Sequence, residues 1–282
     1  MIAFFGTGLL GSGFVRALRR RGETVHVWNR TASKARALEA DGAVAFDDPA
    51  EAARGAARVH LTLSDDQAVD EVLERARAGI GPAAVIVDHT TTSVQGAAAR
   101  EKRWRERGLA LQHAPVFMGP QNALESTGTM LASGDEALFR RLSPELEKMT
   151  GKLVYLGPRP ERAAAFKLMG NLFLMSLTAG VADVLALAKA EKIPPAEAAT
   201  LFDIFNPAAS IGPRVKRILE AEYANPSWEL SMARKDARLM TEAAERGGMS
   251  LALVPAIAKA MDRWIELGHG HDDWTVLAKD AL

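Results

Sequence analysis

The sequence contains no cysteine among its 282 residues. This absence excludes disulfide bonds, thiolate metal sites, iron–sulfur clusters and a cysteine nucleophile. The groups left for catalysis are lysine, histidine, carboxylates and hydroxyls, together with any bound cofactor.

The sequence also lacks net charge, because 35 Lys and Arg residues are balanced by 35 Asp and Glu residues. A nucleic-acid-binding protein normally carries a basic excess that neutralises phosphates, so we predict no nucleic-acid partner. Charged residues make up 25% of the chain, an average share for a folded protein, which excludes wholesale disorder.

A convincing targeting or membrane segment is missing as well. Met1–Phe5 runs directly into a glycine-rich turn, without the basic region or cleavage site of a signal peptide. The one stretch that could pass for a membrane span is Leu168–Ala188, and it contains Asp183. A carboxylate at mid-bilayer costs about 2.5–3.5 kcal/mol. We therefore expect a long buried helix in a cytoplasmic protein with no membrane partner.

The hydrophobic pattern divides the chain near residue 160. Up to Tyr155, short apolar runs alternate with longer segments of helical periodicity, which predicts a doubly wound parallel sheet with helices on both faces. The runs are Ile2–Phe5, Thr24–Trp28, Arg58–Leu63, Ala84–Val87, Ala110–His113, Thr129–Ala132 and Leu153–Tyr155. Gly157–Pro160 then interrupts the chain, and only helical patterns follow. We predict an α/β domain over residues 1–160 and an all-α domain over residues 161–282.

The first predicted strand is followed by a G-x-G-x-x-G motif. Its residues are Gly6, Thr7, Gly8, Leu9, Leu10 and Gly11. In such a motif the first glycine makes a tight turn, the second lets a pyrophosphate approach, and the third allows close packing of helix on strand. Because the motif links a strand to a helix, it predicts a Rossmann-type dinucleotide-binding domain.

The end of the second predicted strand indicates which dinucleotide is bound. An NAD site has Asp or Glu there, whereas this sequence has Asn29, Arg30 and Thr31, with Lys34 one helical turn later. Arg30 could bind a 2′-phosphate through two hydrogen bonds, so we predict NADP(H). The alternative is that Arg30 is only a solvated surface residue. Leu63 and Ser64 follow another predicted strand and are expected to border the dinucleotide.

Lys167 and Asn171 are candidate catalytic residues on a long apolar helix. They are four residues apart and therefore share one face of that helix. A reductase without a metal needs a proton donor beside the carbonyl oxygen, and a partly buried lysine can serve. The spacing alone leaves open whether Lys167 is this donor or a lysine that extends its ammonium to solvent at the helix end.

Six segments together resemble the β-hydroxyacid dehydrogenases related to 6-phosphogluconate dehydrogenase. They are Gly6–Gly11, Asn29–Thr31, Asp88–Thr91, Ala114–Val116, Lys167–Asn171 and Lys235–Leu239. Within this family the sequence is most similar to the NADPH-dependent glyoxylate/succinic semialdehyde reductases. The resemblance extends over essentially the whole chain.

The resemblance implies roles for individual residues. Lys167 matches the family's general acid and Asn171 its substrate-positioning partner. Thr91 matches a threonine beside the nicotinamide and the substrate. Lys235 matches a lysine that reaches toward the cofactor, and Asp236 a residue that shapes the site. The resemblance also implies a long helix joining the two domains, and a homodimer or homotetramer formed through the helical domain.

One segment departs from the family. Where the family reads serine–glycine–glycine and binds the substrate carboxylate, this sequence has Phe117, Met118 and Gly119. Phe117 has no side-chain hydrogen-bond donor. This favours the hypothesis that the substrate is less polar than a hydroxy- or oxo-acid. A neighbouring backbone N–H group or Gln121–Asn122 could replace the missing donors.

The function we expect is NADPH-dependent reduction of a small carbonyl compound, an aldehyde or an oxo-acid such as a semialdehyde. Three alternatives stay open: an imine reductase, disfavoured by Lys167; a 3-hydroxyisobutyrate-type dehydrogenase using NAD, disfavoured by Arg30; and a non-catalytic dinucleotide-binding protein.

Several other polar segments are expected to play no part in the site. We predict no metal at His269–Asp273, because no further ligand motif accompanies this segment. We expect Arg100–Arg107 to form a solvated helix face anchored by Trp104. His89 could touch the nicotinamide pocket, but we favour an ordinary loop histidine.

Overall fold

The computed structural model describes residues 1–282 and begins with a six-stranded sheet in which all strands are parallel. The strands are β1 (Ile2–Phe5), β2 (Val25–Trp28), β3 (Val44–Ala45), β4 (Arg58–Leu61), β5 (Val85–Asp88) and β6 (Ala110–His113), in the spatial order β3-β2-β1-β4-β5-β6. A strand that is buried on both faces has a continuous run of apolar residues in its sequence, as seen in β1 and in most of β5. The predicted parallel sheet is confirmed.

Three further strands form a separate small sheet. They are β7 (Val116–Phe117), β8 (Thr129–Ala132) and β9 (Lys152–Tyr155), with β7 antiparallel to β8 and β8 parallel to β9. The apolar runs predicted β8 and β9 as strands but did not separate them from the main sheet. The two-residue strands β3 and β7 are too short to show a hydrophobic period.

Seven helices accompany these sheets, and the apolar cores lie on opposite faces of the main sheet. The helices are α1 (Leu9–Arg20), α2 (Ala32–Arg36), α3 (Pro49–Ala53), α4 (Asp66–Ala76), α5 (Val94–Glu106), α6 (Pro120–Glu125) and α7 (Glu136–Leu146). Successive side chains of a strand point to opposite faces. Accordingly, Ile2 and Phe4 join the core beneath α1, whereas Ala3 and Phe5 join the core that includes α4.

The prediction of a solvated charged face on α5 is wrong for Arg100. Its side chain is 1% exposed, and its guanidinium bonds the carboxylates of Asp66 and Asp70 at 2.8 Å and lies 3.5 Å from Asp88. A buried cation is tolerated when several carboxylates surround it, and these partners come from α4 and β5, which the charge pattern of α5 alone does not reveal. Trp104 is buried, as expected of an anchor.

The rest of the chain is helical, as predicted. It comprises α8 (Arg162–Ala190), α9 (Pro195–Ala199), α10 (Leu201–Ile204), α11 (Ile211–Leu219), α12 (Leu230–Arg246) and α13 (Val254–Trp264), followed by a π turn (Ile265–His269) and a 3-10 helix (Trp274–Ala281). Two compact units, Met1–Asn171 and Leu172–Leu282, divide within α8, which links the sheet-containing part to the helical part. The boundary predicted at residue 160 lies in the loop before this helix.

Helix α8 is long and apolar enough to cross a membrane by length and composition, although a soluble core helix meets the same criterion. The expectation that it is buried is wrong for the single chain, since only 11% of its most apolar window is buried. Asp183 interrupts its apolar surface. The Asp183 carboxylate accepts hydrogen bonds from the backbone N–H groups of Ala252, Leu253 and Val254. These donors lie at the start of α13, so Asp183 caps that helix from outside.

We expect Asp183→Ala to lower the free energy of unfolding by about 1–3 kcal/mol, because three N–H groups at the start of α13 lose their acceptor. Asp183→Asn keeps one acceptor oxygen and should lose less. Urea unfolding measures the change. The control is Asp203→Ala on α10, whose exposed side chain caps nothing and should change stability by less than about 0.5 kcal/mol. Equal losses in the Asp183→Ala and Asp203→Ala variants would contradict the capping role.

Candidate functional site

The turn from β1 to α1 is packed so tightly that two of its glycines cannot be replaced. Gly6 has φ +87°, and a Cβ atom placed on it would lie 2.1 Å from the carbonyl oxygen of Thr62. A Cβ atom on Gly11 would lie 1.9 Å from the Gly6 carbonyl oxygen. Gly8, by contrast, has no atom within 4 Å of its missing Cβ. The turn is therefore closed toward the sheet and open at Gly8, where a diphosphate could approach.

Hydrogen bonds fix neighbouring loops onto this turn. The Thr7 N–H group donates to Asn29 Oδ1 at 3.0 Å, which ties the end of β2 to the turn. The Thr62 hydroxyl donates to the Gly6 carbonyl at 2.6 Å. The first turn of α1 contains no acidic residue, so the positive end of its dipole is free for an anion.

A cavity of about 330 Å³ beside the turn carries three cations. Arg30, Lys34 and Arg75 all line it, and none of the three forms an ion pair within the chain. The Arg75 guanidinium lies over the Trp28 ring, 5.2 Å from its centroid. Glu71 is the one carboxylate in the lining. Unpaired guanidinium and ammonium groups around one cavity favour a phosphate-bearing ligand.

A second cavity, of about 400 Å³, continues from the first. It is lined by Gly8, Leu9, Leu10, Gly11, Thr62, Leu63, Ser64, His89, Thr90, Thr91, Val116, Met118 and Lys167. Four of these residues, Gly8, Thr62, Leu63 and Ser64, also line the first cavity. A dinucleotide lying across the glycine turn could therefore place one end among the cations and the other beside Lys167.

Lys167 is a nearly buried ammonium without a carboxylate partner. The residue is 8% exposed, and its Nζ atom donates to Asn171 Oδ1 at 2.9 Å. The Phe117 ring lies on another side, with its centroid 4.4 Å from Nζ. Burial lowers the pKa of Lys167 below the ordinary lysine value. A proton donor with a lowered pKa in a cavity wall can protonate a developing oxyanion.

His89 lies against the cavity and forms a buried pair with His60. His89 Nδ1 is 2.8 Å from the Ala114 carbonyl oxygen, and its Nε2 is 2.9 Å from His60 Nδ1. Because a carbonyl only accepts, His89 Nδ1 must donate to it, and His60 Nδ1 must then donate to His89 Nε2. Burial lowers the pKa of His89 to about 4 and holds the pKa of His60 well below the ordinary histidine value, so both rings are neutral. His89 is thus a fixed wall of the cavity, not an ordinary loop histidine.

The groups expected to replace the family's serine and glycine each have a partner elsewhere, although the side-chain amides of Gln121 and Asn122 keep a second N–H donor. The Gly119 N–H group donates to Asn122 Oδ1 at 2.9 Å, and the Asn122 amide donates to the Thr127 hydroxyl at 3.0 Å. Gln121 donates to Glu125. Of the three residues Phe117, Met118 and Gly119, only Met118 lines the second cavity. Nothing in this segment offers a free side-chain donor to a substrate carboxylate.

Lys235 and Asp236 belong to the second compact unit. Both lie on α12, where the Lys235 ammonium is 2.9 Å from its neighbour's carboxylate. Their part in the site stays a prediction. In the tail, Asp273 accepts hydrogen bonds from Ser227 and Thr275. Burial alone would raise the pKa of Asp273, but these hydrogen bonds outweigh it and lower the pKa to about 2. The chain has no group of three or more potential metal ligands.

The cavities also contain residues to which the sequence analysis gave no individual role. Thr62, Thr90 and Val116 line the second cavity, and Arg75 and Glu71 line the first. Thr62 and Thr90 follow β4 and β5, and the rule that ligands bind at the carboxyl ends of parallel strands could have found them. Arg75 lies on the helix after β4, and no local signal distinguishes it from other surface arginines.

Comparison with known proteins identifies the two parts of the chain. Residues 1–157 match the family model described as the NAD binding domain of 6-phosphogluconate dehydrogenase. Residues 160–281 match the model of the C-terminal domain of NADPH-dependent reductive aminase-like proteins.

Individual relatives are more distant. Glyoxylate/succinic semialdehyde reductase 1 of Arabidopsis thaliana is 26% identical, over 98% of this chain and 96% of its own length. The human cytokine-like nuclear factor N-PAC is 31% identical over 84% of this chain, which spans only 43% of that protein. An imine reductase from Myxococcus stipitatus, solved with NADP+, superposes with a TM-score of 0.91 at 20% identity, over 99% of both chains, which shows a shared fold. On the match to more than half of its length, the chain belongs to the β-hydroxyacid dehydrogenase family related to 6-phosphogluconate dehydrogenase, a family of NAD(P)-dependent oxidoreductases.

Proposed function

We propose that this protein is an NADPH-dependent reductase of small carbonyl compounds, with Lys167 as the general acid. The observation that carries the proposal is the buried, carboxylate-free ammonium in the wall of a cavity that adjoins the dinucleotide turn. The name of the Arabidopsis relative, a glyoxylate/succinic semialdehyde reductase, supports carbonyl reduction, whereas both substrates in that name carry a carboxylate.

The residues around the turn fit a phosphorylated dinucleotide. Gly8 leaves room for the diphosphate and the start of α1 attracts it. Arg30, Lys34 and Arg75 would hold the 2′-phosphate and the adenine. NADPH, when bound, supplies a hydride to the substrate carbon.

The chain's own residues then supply the proton and the orientation. As the C–H bond forms, the C=O double bond becomes a single bond and its oxygen gains electron density. The Lys167 ammonium donates a proton to that oxygen, and the neutral lysine regains a proton from solvent. Asn171 Oδ1 holds the ammonium in place, and the exposed Thr91 hydroxyl can donate a hydrogen bond to the substrate.

The segment Phe117–Gly119 supports an uncharged substrate over an oxo-acid. The Gly119 N–H group donates to Asn122 Oδ1, and none of the three side chains carries a donor, so this segment gives a substrate carboxylate no side-chain partner in exchange for its lost hydration. An aldehyde or ketone without a carboxylate avoids this cost.

Imine reduction is the second candidate function. The helical part of the chain matches a reductive aminase-like model, and the imine reductase from Myxococcus stipitatus shares the fold. The Lys167 ammonium could donate its proton to the nitrogen of an imine as it could to the oxygen of a carbonyl, while the hydride goes to carbon. A panel of aldehydes, oxo-acids and cyclic imines with NADPH separates the two functions, because turnover of imines alone would contradict carbonyl reduction.

We also propose that the protein is a homodimer or homotetramer assembled through α8. Large apolar side chains are exposed along this helix in the single chain: Phe166, Leu168, Met169, Leu172, Phe173, Leu174, Met175, Leu177 and Leu185. A contiguous exposed apolar surface of this size is typical of an interaction site, and a second copy of the same helix would cover it.

Arg30→Ala should weaken NADPH binding about 10–100-fold while leaving NADH binding nearly unchanged, because a charged hydrogen bond to phosphate contributes about 1.5–3 kcal/mol. Fluorescence titration with both coenzymes measures this difference. The matched control is Arg36→Ala, since Arg36 lies on the same helix as Lys34 but is paired with Asp47 at 2.7 Å. Equal affinity of the unaltered protein for NADPH and NADH would overturn the coenzyme assignment.

Lys167→Met keeps the apolar bulk of the side chain but removes its proton, so we expect kcat to fall about 10²–10⁴-fold. Steady-state kinetics on an accepted substrate measure the loss. In the unaltered enzyme, kcat for reduction should fall as pH rises through the lowered pKa of Lys167, because only the ammonium donates a proton. The control is Lys189→Met in the last turn of the same helix. Turnover of the Lys167→Met variant within a few-fold of wild type would exclude Lys167 as the general acid.

Met175→Glu should dissociate the oligomer, because it places a charge on a side chain that is 70% exposed in the single chain and would be buried between copies. Light scattering coupled to size-exclusion chromatography measures the mass over a range of concentrations. Val44→Glu, at an exposed apolar position on β3, is the matched control and should leave the mass unchanged. A monomer in the unaltered protein would overturn the proposal.

A further inference from the structure

The Phe117 ring occupies space that exists only because residue 170 is glycine. A Cβ atom placed on Gly170 would lie 2.3 Å from Phe117 Cζ and 2.5 Å from Cε1. Real Cβ atoms do not approach other atoms so closely, so the ring lies directly against the backbone of α8. Gly170 is three residues after Lys167, and one helical turn places both residues beside the same ring.

The same ring contacts the Lys167 ammonium. Its centroid is 4.4 Å from Nζ, within the range of cation–π attraction, and Asn171 Oδ1 is the other defined partner of Nζ. No carboxylate forms an ion pair with Lys167. The position of Nζ therefore depends on one amide oxygen and one aromatic face.

We propose that Phe117 is a positioning residue for Lys167: its ring, received by the gap at Gly170, holds the ammonium against Asn171 and excludes water from that side of the cavity. This inference deepens the proposed function, because it rests on Lys167 being the proton donor. Phe117 itself need not touch the substrate, and it does not line the second cavity.

The ring acts on the ammonium in two opposing ways. Its π face attracts the charged form, whereas its bulk removes water and disfavours that form. Burial lowers the pKa of Lys167. The other titratable residue that lines this cavity is His89, which stays neutral above about pH 4. Different substitutions of Phe117 can separate the attraction by the π face from the exclusion of water.

A double-mutant cycle tests the coupling between the ring and the glycine. Gly170→Ala alone should reduce kcat at least tenfold, because the added methyl displaces the ring and with it Nζ, and a displacement of 1 Å can cost roughly 10²-fold. In the Phe117→Ala background the same change should alter kcat less than about twofold, because the obstructing ring is gone. Gly212→Ala, at an exposed helical glycine with no atom within 4 Å, is the control and should be neutral.

The ionisation of Lys167 provides a readout that needs no turnover. The rate of reductive methylation of Lys167, followed by peptide mass spectrometry across pH, reports its titration. Phe117→Ala admits water and should raise the pKa of Lys167. Phe117→Leu keeps the apolar bulk without the π face and should lower that pKa further.

The outcomes are decisive in both directions. Non-additive effects in the cycle together with opposite pKa changes in the two Phe117 variants support the proposal. Equal losses from Gly170→Ala in both backgrounds, or pKa changes that are absent or of one sign, overturn it. If the Lys167→Met variant retained turnover, Lys167 would not be the general acid. The methylation rates of the four proteins of the cycle would still show whether Phe117 and Gly170 determine the ionisation of Lys167.

Discussion

The site depends on the contact between the glycine turn and the loops that follow the neighbouring strands. Gly6 and Gly11 let the chain turn so closely that the Thr62 hydroxyl reaches the Gly6 carbonyl and Asn29 reaches the Thr7 amide. The Leu63 amide in turn donates to the Thr90 hydroxyl at 3.0 Å. Loops after β1, β2, β4 and β5 are thereby held in one rigid surface. Both cavities are formed on that surface, so the same hydrogen bonds connect the loops that line them.

Arg100 and Lys167 are two buried cations of the first compact unit, and their surroundings have opposite effects on their pKa values. Arg100 is surrounded by three carboxylates, which raise its pKa despite the opposing effect of burial, and it joins α4, α5 and β5. Lys167 has only an amide oxygen and an aromatic face, and burial lowers its pKa. A compensated charge is chemically inert, whereas an uncompensated one gives up its proton readily. The difference in partners therefore separates a structural cation from a candidate catalytic one.

The sequence predicted those parts of the fold that local periodicity encodes. Continuous apolar runs indicated the buried parallel strands, and the spacing of the glycines indicated the turn after β1. It did not reveal β3 or β7, because two residues show no period, and it misassigned Arg100, whose partners lie on other elements. Arg75 was missed for the same reason, because Trp28 is brought near it only by tertiary packing. For His89 the sequence favoured a loop position over contact with the pocket, and the structure places it in the cavity wall. Lys167 and Asn171 became candidates because they share one helix face, and the resemblance to the family then implied their roles.

The two cavities share the wall around Gly8 and Leu63, but they divide the charged residues between them. Arg30, Lys34 and Arg75 line only the first cavity, and Lys167 lines only the second. Substitutions that alter affinity for one coenzyme can therefore accumulate at the first cavity while Lys167, the proposed proton donor, is untouched. A change of coenzyme preference from NADPH to NAD+ would couple the same reaction to an oxidising coenzyme. The reverse reaction, oxidation, would then be favoured in the cell, without any change in the residues around Lys167.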